Sequence, residues 1–298
     1  MPNRLLIRPL AAPVGADVCG LALSEPLRPE TLATLRRALL QHQVLIFPDQ
    51  QLDDEQHLEF SRHWGKLQLH VLDQYRESSR PEILWITNLD QDGKPKGEHP
   101  DPGAAIWHSD GSWSRERGLV TILHSLRIPT RGGDTLYANM YAAYEGLTAD
   151  DKARLEDVVA VHDLDYSRSQ TSARKQMTQQ QKRAAPPVEW PVVRTHPETG
   201  RKCLYLGQHA SHVKGMGVEE GRAFIRQLNA HATQPKYVYR HAWRQHQLVM
   251  WDNRAVLHSA TDFDWINDVR ILRRTTTVGE RIPSQTSLPV SPPSRPAD

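Results

Sequence analysis

Leu32, Leu35, Leu39 and Leu40 fall on one face of a 3.6-residue repeat, which predicts a helix over 29–43. A second helix is predicted over 53–65, with Asp53, Asp54 and Glu55 favouring its first turn and Gly65 stopping it. A helical stretch is predicted around 140–157 and an amphipathic helix over 218–233. Short β-rich runs fill most of the rest. Residues 3–8, 16–23, 44–47, 83–87, 119–129, 134–139, 158–164, 236–243, 248–251, 255–258 and 269–278 read as strands. A hairpin is predicted from 192–196 and 202–207 about the turn PETG. Residues 89–103 read as a polar loop. Residues 166–187 are polar and basic without an acid, which suits a solvated loop or a lid over a site. Many short strands with a few helical buttresses predict a mainly β protein with flanking helices, a double-stranded β-helix or jelly roll. A single domain is expected over 1–280, followed by a disordered Pro- and Ser-rich tail over 281–298.

The 298 residues carry a net charge of +2, so no whole-chain field for nucleic acid or membrane is expected. The basic stretch 166–187 lacks interleaved aromatics for stacking on bases. Cys19 and Cys203 are too few for a disulfide framework or a thiolate cluster and fit a reducing cytoplasm. No apolar run approaches 18 residues, and Arg8, Pro9 and Pro13 break the first segment as a signal peptide.

The chemistry concentrates in AAIWHSDGSW, which holds His108 and Asp110, and in LVMWDNRAVLH, which ends on His258. In an extended strand, residues i and i+2 point to the same side, so His108 and Asp110 can grip one ion. A third ligand from a distant strand closes a facial triangle and leaves positions open, as in non-haem Fe(II) oxygenases. His99 and Asp101 repeat the spacing, but among Pro and Gly in a loop. Two histidines and a carboxylate also bind zinc, although no H-E-x-x-H helix is present. A jelly-roll binding protein that has lost its metal is a further alternative. In 269–278, Arg270, Leu272, Arg274 and Thr276 share one face, and Ile271, Arg273 and Thr275 the other. Arg270 and Arg274 lie about 13 Å apart along a strand. Turned inward, they need anions, and two such arginines could hold two different carboxylates; the alternative is that both lie on the surface, paired with Asp or Glu.

With these blocks in order, the chain resembles the TauD/TfdA family of Fe(II)- and 2-oxoglutarate-dependent dioxygenases. The resemblance rests on WHSDGSW (107–113), GGDTLYANMYAAYE (132–145), LVMWDNRAVLH (248–258) and RILRRTTT (270–277), and it spans about residues 5–280. PPVEWPVVRTHPETGRKCLYLGQHASHVKGM (186–216) and HATQPKYVYRH (231–241) are most similar to the 2,4-dichlorophenoxyacetate-oxidising branch. The GGDT block leans toward the taurine branch, while Ala104 and Ala105 stand where taurine-type enzymes carry a polar contact. The segment 66–80 departs from both.

The resemblance implies that His108, Asp110 and His258 ligate the iron, with Fe(II) as cofactor and 2-oxoglutarate as co-substrate. It implies that Thr135 and Arg270 bind 2-oxoglutarate and that Arg274 holds the acidic group of the prime substrate. His70, His209 and Trp113 are its further candidates for substrate contact, with His212 beside them. Trp107 is expected to pack in the core, and Asn253 to be structural in a tight turn. The implied reaction hydroxylates a small organic anion with O2 and releases succinate and CO2. An aryloxyalkanoate is the expected substrate, with a taurine-like sulfonate or an alkyl sulfate ester as the alternative. A homo-oligomer is also implied.

Overall fold

The computed structural model describes residues 5–71, 79–98, 102–171 and 176–281. An antiparallel pair, β1 (Leu6–Pro9) and β2 (Ala16–Cys19), precedes α1 (Pro29–His42). Pro29 starts this helix, and Gln43, in the left-handed region at φ 61°, ends it and turns the chain into β3 (Val44–Phe47). The next helix, α2 (Asp54–Arg62), opens on a capping box in which Asp53 and Gln56 each satisfy the other's backbone N–H. Strands β4 (Lys66–Leu67), β5 (Leu84–Thr87), β6 (Glu116–Arg127) and β7 (Thr135–Asn139) follow.

The helix expected over 140–157 is two, α3 (Met140–Glu145) and α4 (Ala149–Leu155), separated at Gly146 and restarted by the Thr148 cap. Strand β8 (Val159–His162) leads into the region expected to be loop. That region instead contains α5 (Leu164–Ser169), capped by Asp163, and α6 (Gln179–Ala184), capped by a Thr178–Gln181 box. Strand β9 (Val188–Pro191) precedes the predicted hairpin, β10 (Val193–Thr195) and β11 (Lys202–Leu204). Strand β12 (Ala210–Val213), which the sequence reading missed, pairs with β8. Helix α7 (Val218–Ala232), β13 (Val238–His241), β14 (Leu248–Asp252), β15 (Val256–Ala260) and β16 (Ile271–Arg281) complete the described chain. Positions 99–101, with the second H-x-D, and 282–298 of the expected tail lie outside the described residues.

The architecture is a jelly roll. One sheet runs β1-β2-β3-β14-β6-β16-β4, with β5 also on β16, and the facing sheet runs β13-β7-β15. Period-two patterning sorts the residues. Val44, Ile46, Leu123, Val249, Trp251 and Leu272 point between the sheets, where they meet Tyr137 and Val256 from the facing sheet. Their neighbours Leu45, Phe47, Ile122, Leu248 and Met250 pack outward against Leu35, Leu39 and Phe60 of the helices. Each fully buried Leu or Phe contributes about 1.5–3 kcal/mol relative to exposure. The outer face of the smaller sheet, including Ala138 and Leu257, is covered by α3, α7 and the hairpin. Among the described residues, no helix is long and apolar enough to cross a membrane.

A buried ion network anchors the β14–β15 turn. Asp252 accepts from Arg254 Nη2 at 2.7 Å and from Arg254 Nε at 2.8 Å, and it meets His196 Nε2 at 3.1 Å. Arg254 continues to Glu198 at 2.8 Å. Burial alone would raise the Asp252 carboxyl, but His196 and Arg254 hold it well below the usual carboxylate range. A depressed folded value gives stability that is complete above the ordinary value of 3.8 and lost as pH falls below it. Asp252→Asn, which leaves Arg254 short of a buried partner, is expected to cost about 3 kcal/mol at neutral pH. It should also flatten the acid limb of the melting curve. Melting temperature measured from pH 7 to pH 3 checks both effects.

Candidate active site

The inward face of the smaller sheet carries His258. It lies two residues after Val256 on β15, while Leu257 between them turns out to the other core. His108 joins the end of this sheet through a bridge to His258. His108 N–H donates to His258 O at 2.9 Å, and His258 N–H donates to His108 O at 2.8 Å. Asp110 is not the next inward residue of a strand, as the sequence reading expected. The chain leaves the bridge at His108 and turns at 110–114, with Gly111 at φ 69°. A Cβ on Gly111 would sit 2.6 Å from Gly118 N, so this close approach of the turn to β6 favours glycine. The two side chains still converge, by a turn rather than by the pleat.

His108, Asp110 and His258 bring one potential ligand atom each within 4.8 Å of one another, and all three are buried. The Asp110 oxygens lie 3.8 Å from His108 Nε2 and 3.7 Å from His258 Nε2. His108 Nδ1 is 2.7 Å from Ile106 O. A carbonyl only accepts, so Nδ1 carries the proton and Nε2 presents a lone pair toward the centre. Burial, with His108 and Arg274 nearby, pushes His258 well below the ordinary histidine value, which keeps it in the neutral form a metal requires. Burial would raise Asp110, but the Arg274 guanidinium and the Thr121 hydroxyl hold the carboxyl well below its usual range. Two imidazoles and a carboxylate therefore face one point, a donor set that fits a divalent cation.

The two arginines of β16 behave differently. Arg270 is 5% exposed, with Nε donating to Gly133 O at 3.3 Å. Among the described residues, no carboxylate forms an ion pair with it. Burial lowers its value to about 10, so it remains a cation at neutral pH. An unpaired buried guanidinium is costly and suits a bound carboxylate. Gly133, at φ 67°, makes this approach possible, since a Cβ there would come 3.2 Å from Arg270 Nε. Thr135, at the start of β7, is buried and accepts from Trp243 Nε1 at 3.0 Å. Arg274 donates to Asp110 Oδ1 at 3.0 Å. It also lines a small surface cleft with Gln68, His70, Glu82, Leu84 and Thr276. Arg273 faces the opposite way, to Asp54 and His124, as the period-two reading predicts.

His70 stacks edge-on against Trp113 at 5.9 Å. Trp113 is itself buried among Leu164, Met177 and Ala185, so two residues of the stretch expected to be a loop or lid, Met177 and Ala185, pack against it. His209 lies 6.2 Å from the His108 ring, with Nδ1 2.9 Å from Ser167 Oγ on α5. His212 contacts Ser211 Oγ through its own Nδ1. Trp107 packs against the outer core, as expected. The sequence reading passed over Thr121, which donates to Asp110 Oδ2 at 2.7 Å, because a lone threonine in a strand carries no motif.

A family profile described as "Taurine catabolism dioxygenase TauD, TfdA family" matches residues 6–276. The alpha-ketoglutarate-dependent 2,4-dichlorophenoxyacetate dioxygenase of Burkholderia sp. (strain RASC) is 38% identical, over 89% of this chain and 91% of the relative. The (S)-phenoxypropionate/alpha-ketoglutarate-dioxygenase of Sphingobium herbicidovorans is 33% identical, over 95% and 97%. The crystal structure of AAD-2 in complex with Mn(II) and N-oxalylglycine superposes with a TM-score of 0.81 at 37% identity, covering 92% of this chain and 98% of that one.

Proposed function

The chain belongs to the TauD/TfdA family, and we propose that it is the member whose site oxidises a small aryloxyalkanoate, with His108, Asp110 and His258 holding Fe(II). It is an Fe(II)- and 2-oxoglutarate-dependent dioxygenase. The observation that carries the site assignment is the convergence of three buried side chains, His108, Asp110 and His258, on one point. When bound, Fe(II) and 2-oxoglutarate supply oxygen activation coupled to loss of CO2 and formation of succinate.

The chain's own residues position and exclude. Arg270 and Thr135 take the distal carboxylate of 2-oxoglutarate, and Arg270 needs no change of protonation state to do so. Arg274, at the mouth of the cleft, offers its guanidinium to the acidic group of the prime substrate while it steadies Asp110. His70, Trp113 and His209 border the space for the rest of that substrate. The burial of Trp113 against Leu164, Met177 and Ala185 keeps water from this wall. A carbon hydroxylated between an ether oxygen and a carboxylate becomes a hemiacetal, which collapses to a phenol and an oxo acid. The compounds for which the relatives are named, 2,4-dichlorophenoxyacetate and (S)-phenoxypropionate, support the aryloxyalkanoate class. The two free thiols, Cys19 and Cys203, support a cytoplasmic location, and the family resemblance supports a homo-oligomer.

Succinate release is to be measured across aryloxyacetates, 2-aryloxypropionates, taurine and alkyl sulfates. It should rise with an aryloxy acid, together with an equal amount of phenol. A rise only with the sulfonate or the sulfate esters would keep the cofactor chemistry and move the substrate to that alternative class.

A further inference from the structure

The β14–β15 turn does more than reverse the chain. Asn253 Oδ1 accepts from Asp110 N–H at 3.1 Å and from Trp251 Nε1 at 3.0 Å. Both partners are donors only, so the amide cannot be flipped, and Nδ2 must face Thr121 Oγ1 at 2.9 Å. An amide nitrogen only donates. The Thr121 hydroxyl therefore accepts from Asn253 and has its single proton free for Asp110 Oδ2 at 2.7 Å. Thr276 Oγ1, at 3.3 Å from Thr121, is a longer and uncharged competitor for that proton. Ser109 Oγ donates to Asn253 O at 2.6 Å, and Asn253 N–H donates to Leu119 O at 2.8 Å, which fixes the turn against both neighbours of the site. Asn253, Thr121 and Asp110 are all buried, at 1%, 0% and 6% exposure.

We propose that Asn253 and Thr121 are positioning residues for the metal ligand Asp110, acting as a relay of fixed hydrogen-bond direction from the β14–β15 turn to the carboxylate. This rests on the reading of His108, Asp110 and His258 as a metal site. Asn253 grips Asp110 twice, at its backbone N–H directly and at Oδ2 through Thr121. Arg274 holds the other oxygen, Oδ1. With both oxygens held, the carboxylate plane does not rotate, and the lone pairs that face the histidines are set before any ion arrives. Pre-ordering of this kind lowers the entropic cost of binding. Trp251 ties the relay to a second ligand, since its ring lies 4.6 Å from the ring of His258 while its N–H locks the Asn253 amide.

The test is the Mn(II) affinity of the full chain without 2-oxoglutarate, read from the paramagnetic resonance signal of free Mn(II). Thr121→Val keeps the β-branched shape and removes the donor to Asp110. Asn253→Asp keeps the acceptor for the Asp110 N–H and the indole, but it draws the Thr121 proton away from Asp110. Each is expected to weaken Mn(II) binding about 10- to 100-fold. Thr121→Ser, which restores the hydroxyl and loses only a methyl, should return to within about threefold of wild type. Wild-type affinity in both Thr121→Val and Asn253→Asp, or equal weakening in Thr121→Ser and Thr121→Val, would overturn the positioning role alone. A wild-type protein that binds no Mn(II) would overturn the metal reading and the proposal with it.

Discussion

Asp110→Ala is expected to reduce succinate formation by at least about 100-fold, beyond the range that loss of a ligand's hydrogen-bond partner costs. The reason is charge as much as ligand count. Asp110 is the one anion among the three converging groups, and it also neutralises Arg274 Nη1 at 3.0 Å. Its removal leaves two imidazoles beside the Arg274 guanidinium with no carboxylate between them, a site that repels a divalent cation. His108→Ala removes a ligand whose tautomer Ile106 O has already set, and it should lose activity to a similar degree without that change of sign. Bound metal per chain, measured with the assay, separates loss of metal from loss of chemistry. Normal turnover in either variant would remove these residues from the iron site.

The second large effect separates the two arginines. Arg270→Ala should raise the 2-oxoglutarate KM about 30-fold or more, corresponding to about 2 kcal/mol, the lower end of what truncating one partner of a buried charge pair costs. Its effect on the KM for the prime substrate should be small. Arg274→Ala should raise the KM for the prime substrate more than that for 2-oxoglutarate. The contrast is not symmetrical, because Arg274 also holds Asp110. Arg274→Ala should therefore bind metal more weakly as well, whereas Arg270→Ala should bind it normally. An unchanged 2-oxoglutarate KM in Arg270→Ala would contradict the role given to the Arg270 guanidinium.

The period-two pattern was sufficient to place Arg270 and Arg274 on one face of β16 and Arg273 on the other, because a strand buried on both sides leaves no choice of register. The capped helices were equally legible: Pro29 opens α1, and the Asp53–Gln56 box opens α2. Helix α6 was not, because none of its side chains is buried and so no apolar stripe marks it. Its one local signal in the sequence is Thr178 three residues before Gln181. The H-x-D pair was identified by its spacing but assigned the wrong local geometry. A glycine directly after Asp110 was the sign of a turn. Strand β12 was hidden in LGQHASH, where two histidines and a glycine obscure any alternation. Thr121 and Asn253 could not be paired from sequence at all, since 132 positions separate them and only the sheet brings them together.

The most direct test of the whole account is turnover of an aryloxyacetate under 18O2 with Fe(II) and 2-oxoglutarate, followed by mass spectrometry of the products. The predicted result is succinate carrying one labelled oxygen and a phenol carrying none, because the phenol keeps its ether oxygen. Unlabelled succinate, or label in the phenol, would contradict oxidation at the carbon between the ether and the carboxylate.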